Sequence, residues 1–174
     1  MQLTEKTLMD AGCCIPGVDR YFKGRGITSW DAEALLDKAI AEGDFISARA
    51  AISRLMSKTQ RVEWAIWCAE QVIGIFEKEH PDDSRPRNAI NAAKAWLSDP
   101  TKENADNAHA AADAVVSGMP TYTVHVAYAA FAAVNAAAFA ARDAARATGA
   151  AKAAGVGYES ILRKGADILL REEK

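Results

Sequence analysis

Proline and cysteine are both scarce in this chain, and each shortage excludes something. Five prolines in 174 residues leave long stretches free to be helical. Alternating runs of β-branched residues, the pattern of half-buried strands, are also missing. Three cysteines, two adjacent (Cys13, Cys14) and one in mid-helix (Cys68), make a poor disulfide framework. Reduced thiols and a cytoplasmic setting are therefore expected. No basic start followed by an apolar block opens the sequence, so no secretory signal is expected either. Nor is there an excess of one charge: the net value of −2 gives no global pull toward nucleic acid or anionic lipid.

What the chain has in abundance is alanine, roughly a fifth of all residues and well above ordinary usage. Residues 114–141 carry no Asp, Glu, Lys or Arg, a span long enough to cross a bilayer. Most of its apolar content is alanine, which gains little in lipid, and Ser117, Gly118, Pro120, His125 and Asn135 interrupt it. A buried central helix is the expected outcome, with no membrane partner.

Helical spacing dominates the rest. A first helix is expected from Leu3 to Ala11, broken by a Gly12 to Gly17 loop. Trp30, Ala32, Leu35, Leu36, Ala39 and Ile40 recur at three- and four-residue intervals up to Gly43, and Phe45, Ala48, Ile52, Leu55 and Met56 continue the pattern. Val62, Ala65, Ile66, Ala69, Ile73 and Phe76 form a stripe through a helix from Arg61 to Lys78. His80-Pro81 stops it, because proline disfavours helix in the residue before it. Pro86 suits the first turn of the next helix, which buries Ala89, Ile90, Ala93 and Leu97. Further helices are expected over 102–117, 121–148 and 158–172. The fold class is thus all-α: one domain spanning 1–174, a bundle of about eight helices around a central alanine-rich helix.

Candidates for chemistry concentrate between Arg61 and Trp96. Glu63, Glu70 and Glu77 fall seven apart on one helical stripe, with Trp67 one turn from two of them. Trp67 lies off the apolar stripe and is expected to stay partly exposed. Arg85 and Arg87 follow the Asp82-Asp83 turn, and an arginine fork suits carboxylates. One of these arginines is expected to pair with a carboxylate of the preceding helix or of the turn. If that pair were buried, truncating the arginine would cost about 3–5 kcal/mol.

The same region carries a family resemblance. Arg61, Ala65, Cys68 and Glu70, then Pro81, Asp82, Asp83, Arg85, Pro86, Arg87 and Ile90, resemble the pattern of immunity proteins of bacterial toxin–immunity systems, the immunity-protein-five-like family. The likeness covers roughly residues 60–150, and the Leu8, Ala11 to Cys13 start extends it; Ser84 is an insertion in the acidic junction. The resemblance implies an α-helical, non-enzymatic protein that neutralises a toxin by binding it, or a host defence factor in a phage-borne relative. A protein-binding site at Trp67, Glu70, Asp82, Asp83, Arg85 and Arg87 is the expectation, with no cofactor and no catalytic residues.

Other constellations are weaker. His125, Tyr128, Asn135, Phe139, Arg142 and Arg146 share one face of the alanine-rich helix and offer the alternative, a groove for a small ligand or a metal-dependent helical enzyme. Asp106, His109 and Asp113 share a helix face, yet metal sites in bundles gather ligands from several helices, so no metal is expected. Cys13-Cys14 reads either as a nucleophile near a helix N-terminus or as packing. The cluster Arg20, Tyr21, Phe22, Lys23 and Arg25 is too small to argue for nucleic acid.

Overall fold

Before the first helix the chain is extended. The computed structural model describes residues 1–116, 151–153 and 155–171. Leu3, expected in a helix, lies in a short strand, β1 (Gln2–Thr4), antiparallel to β2 (Ser29–Asp31); Trp30, also expected in a helix, sits opposite it. Each strand runs directly into a helix: β1 into α1 (Glu5–Asp10) and β2 into α3 (Ala32–Ala41). The boundaries are set by caps. Thr4 Oγ1 accepts from the Thr7 amide at 3.1 Å, and Asp31 Oδ1 accepts from the Glu33 amide at 3.0 Å. A capping residue has extended backbone, so the residue before it is free to join a strand.

The expected Gly12 to Gly17 loop is shorter than the glycines suggested. Helix α2 (Ile15–Phe22) opens with Pro16 in its first turn, where a missing amide hydrogen is harmless. It buries Val18, Tyr21 and Phe22, so the aromatic half of the Arg20 to Arg25 cluster faces the core. After α3 come α4 (Phe45–Leu55), α5 (Lys58–Glu79), α6 (Arg85–Ser98), α7 (Lys102–Val116) and α8 (Tyr158–Leu170). Eight helices stand among the described residues, and the fold is all-α. None of them is long and apolar enough to cross a membrane. The expected helix 121–148, with the His125, Tyr128, Asn135 and Arg142 groove, lies outside the described residues.

Helix α5 is the axis on which the rest is hung. It begins three residues earlier than periodicity indicated, because Ser57 and Gln60 form a capping box. Its expected stripe is buried throughout, from Val62 to Phe76. Trp64, Cys68 and Val72, off that stripe, are fully buried as well. The buried arc is wide because α5 packs against both α6 and α8. Two polar side chains secure the α8 side. Gln60 Nε2 donates to the Ile168 carbonyl at 2.9 Å, and the Trp64 indole N–H donates to the Ile161 carbonyl at 3.0 Å. Gly165 lets the two helices close: a Cβ there would sit 2.6 Å from Trp64 Cε2.

Candidate functional site

The sequence-predicted site is organised by the α5–α6 hairpin. Its turn is closed by the His80 amide donating to the Phe76 carbonyl at 2.8 Å and the Asp83 amide donating to the His80 carbonyl at 3.1 Å. The His80 ring packs on Phe76 with centroids 4.8 Å apart. Both arginines take carboxylates, as expected. Arg85 grips Asp83 through two bonds of 2.8 and 2.6 Å, and Arg87 grips Glu77 through two of 2.7 Å. These hydrogen bonds hold the Asp83 and Glu77 carboxyls below their ordinary values.

Farther along, Lys94 pairs with Glu70 at 2.5 Å. Glu77–Arg87 and Glu70–Lys94 are each equidistant in sequence from residue 82, the mark of an antiparallel hairpin folded about Asp82. The third carboxylate of the row, Glu63, meets Arg171 just beyond α8. The acidic stripe is therefore a row of cross-helix pairs, one cation from a neighbouring element for each glutamate.

Neither arginine pair is buried. Arg85 and Arg87 each keep 37% of their side chains exposed, so the large cost reserved for a buried pair does not apply. Arg87→Ala and Arg85→Ala should each leave the thermal melting midpoint almost unchanged; a collapse of the fold in either variant would show that the pairs carry stability.

Once these pairs are formed, negative charge is left over at the turn. Glu79 and Asp82 are exposed, and neither has an ion-pair partner among the described residues. They rim an open basin of about 560 Å³ with His80, Pro81, Asp83, Ser84 and Arg85. Three carboxylates face one arginine there. Asp82, Asp83 and Arg85 are thus gathered in one place, with Glu79 and His80, which sequence reasoning had not assigned to the site. Trp67 and Glu70 are not. At 1.5 Å per residue, Trp67 lies about 18 Å back along α5 from Glu79. It is half-buried against the core, and Glu70 is occupied by Lys94.

A second concavity was not foreseen from the sequence as a cavity. Between α1, α2, α3 and α4 lies an apolar cleft of about 40 Å³, walled by Leu8, Val18, Leu35 and Ala51, with Cys13 and Cys14 among its lining residues. Gly17 leaves room at the mouth: a Cβ there would stand 3.2 Å from both Cys14 Sγ and Ser47 Oγ. The wall is braced by Asp44, whose side chain is only 8% exposed and accepts from Tyr21 Oη at 2.9 Å and Arg20 Nη1 at 2.8 Å. Burial pushes the Asp44 carboxyl up. Hydrogen bonds from Ser47 and Tyr21, with the charge of Arg20, outweigh it and hold the group below its ordinary value.

A carboxyl depressed in the folded state contributes stability above the unfolded value, about pH 3.9, and loses it as pH falls through the folded value. Asp44→Asn should therefore cost about 1–3 kcal/mol at pH 7. The difference from wild type should shrink on acidification below about pH 3.9 in urea titrations. An equal deficit at pH 7 and pH 3 would remove the ionised carboxylate from the account.

Elsewhere, Asp106 of the Asp106, His109 and Asp113 trio pairs with Lys102 at 2.6 Å. Among the described residues no group of three or more His, Cys, Asp or Glu could hold a metal ion. Cys68 is fully buried, and burial pushes its thiol up.

A family model matches residues 35–167, from α3 to α8. The chain belongs to DUF6931, a family of unknown function. The DUF6931 match includes the whole α5–α6 hairpin and its acidic basin, and it begins after β1, α1, α2 and the two vicinal cysteines. No curated protein and no solved structure matches the chain.

Proposed function

We propose that this DUF6931 protein is a non-enzymatic, protein-binding inhibitor of the immunity type. It neutralises a toxin or, where the gene is phage-borne, a host defence factor, by taking a basic surface of that target onto the α5–α6 acidic basin. One observation carries the docking site: among the described residues Glu79 and Asp82 have no ion-pair partner, beside a turn whose own arginine is held by Asp83. Leaving those charges exposed on a braced hairpin presents a fixed negative field, which steers a basic partner and raises its association rate. The immunity character rests on the sequence resemblance of the Arg61 to Ile90 segment. Trp67, Glu70 and Arg87 fall on the flank of the same hairpin and extend the contact surface along α5 and the start of α6.

The test starts with affinity capture from a cell of the source type, followed by kinetics on the captured protein. The double variant Glu79→Lys/Asp82→Lys should slow association by about tenfold or more at low salt, with the effect fading as salt rises. Trp67→Ala should act on dissociation instead, because a contact rather than the long-range field is lost, and Glu70→Ala, which removes a charge as well, should act on both rates. Folded charge-reversal variants that associate at the wild-type rate would move the site off the basin.

A further inference from the structure

We propose that Cys13 and Cys14 form a vicinal dithiol site for trivalent arsenic at the mouth of the apolar cleft between α1, α2, α3 and α4. The first support is placement. Both cysteines line the one cleft, and Cys14 is exposed, so a small solute reaches the pair from outside. Leu8, Val18 and Leu35 give the inner wall no charge, and Gly17 keeps the Cys14 sulfur uncrowded.

Covalent geometry supplies the second support. Adjacent Cα atoms are about 3.8 Å apart across a trans peptide, while disulfide-bridged Cα atoms ordinarily lie about 4.4–6.8 Å apart. The chain has no cis peptide among its described residues. A direct Cys13–Cys14 disulfide would therefore be strained, and a bridging atom between the sulfurs lengthens the ring and relieves it.

The third support is charge. Burial holds the Cys13 thiol above its ordinary value, Arg54 pulling the other way and Cys14 adding to the rise. The site thus favours a ligand that takes thiols and yields a neutral product. Zinc prefers about four ligands, and no third His, Cys, Asp or Glu joins the pair among the described residues. A cuprous ion on two thiolates would leave a net negative charge against apolar walls, which is costly. Arsenous acid avoids both difficulties. Two S–H bonds and two As–OH bonds break, two As–S bonds form, and each thiol proton leaves with a hydroxide as water. The adduct is uncharged, keeps one hydroxyl on arsenic and consumes no oxidant.

The experiment titrates reduced full-length protein with sodium arsenite, read by intact-mass spectrometry and by protection of thiols from alkylation. One arsenic per chain is expected, with Cys13 and Cys14 protected and Cys68→Ala binding like wild type. Cys13→Ser and Cys14→Ser, each checked for an unchanged circular dichroism spectrum, should each weaken binding by at least about 100-fold, because the second As–S bond forms at high effective concentration only when both thiols are present. Binding that survives at wild-type affinity in either serine variant, or that requires Cys68, or that is absent altogether, overturns the site.

Discussion

Trp64→Ala should lower the unfolding free energy by about 3–5 kcal/mol, the largest single-residue loss expected in this fold. In a chain of this size that corresponds to a fall in melting temperature of roughly 6–20 °C. The side chain is fully buried between α5 and α8, so its removal leaves a cavity that rigid helices on both sides cannot collapse to fill. It also removes the indole N–H that donates to the Ile161 carbonyl from outside the α8 helical ladder. Trp64→Phe keeps most of the volume while losing the donor and part of the ring, and should cost less than Trp64→Ala, about 1–3 kcal/mol. Thermal unfolding followed by circular dichroism gives both values. A melting point for Trp64→Ala within error of wild type would mean that α8 is not docked on this residue.

Alanine substitution at two helical glycines should have opposite signs. In α5, Gly74 is exposed, and a Cβ there meets nothing within 4 Å. Gly74→Ala should stabilise the protein by about 0.8–1 kcal/mol, the difference in helix propensity. In α8, Gly165 would gain the same propensity, but its Cβ would stand 2.6 and 2.7 Å from Trp64 ring carbons and 2.9 Å from Ile52 Cγ2. Neither obstacle is a flexible tip: the indole is fully enclosed and hydrogen-bonded, and Ile52 is fully buried. Overpacking of this kind costs about 1–3 kcal/mol or more and outweighs the propensity gain. Gly165→Ala should therefore destabilise, and a larger side chain such as valine should do so more. The cost should shrink in the Trp64→Phe background, and a double-mutant cycle measures that coupling directly. Additive effects would show that Gly165 and Trp64 do not press on each other.

Stability and the proposed docking surface lie on different parts of the hairpin. The Trp64 side of α5 holds the fold, while the Glu70 and Glu77 side holds register through pairs that are each partly exposed and individually weak. Substitutions on the acidic face should therefore leave a folded protein in which the proposed binding can be tested.

The helices themselves were legible in the sequence because helix formation is a local matter. A stripe such as Val62, Ala65, Ile66, Ala69, Ile73 and Phe76 repeats at the helical period, and Pro81 and Pro86 act on the residues beside them. The carboxylate row was visible for the same reason, but of the cations that answer it only Arg87 was anticipated. Periodicity misassigned Leu3 and Trp30, where strand pairing joins segments far apart in sequence and overrides local spacing, and it missed the short helix α2.

Tertiary packing alone decided the rest. Which tryptophan of α5 is enclosed depends on how wide an arc of that helix its neighbours cover. With α6 and α8 both against it, Trp64 is sealed and Trp67 keeps an edge in solvent. Packing also spends Glu70 on Lys94, a partner 24 residues later that no local rule selects. The Cys13–Cys14 cleft exists only because four helices meet there around Gly17. Sequence spacing specifies which residues share a face of one helix. Which faces meet, and which charges remain unpaired after they have met, is settled by the free energy of burying those faces together.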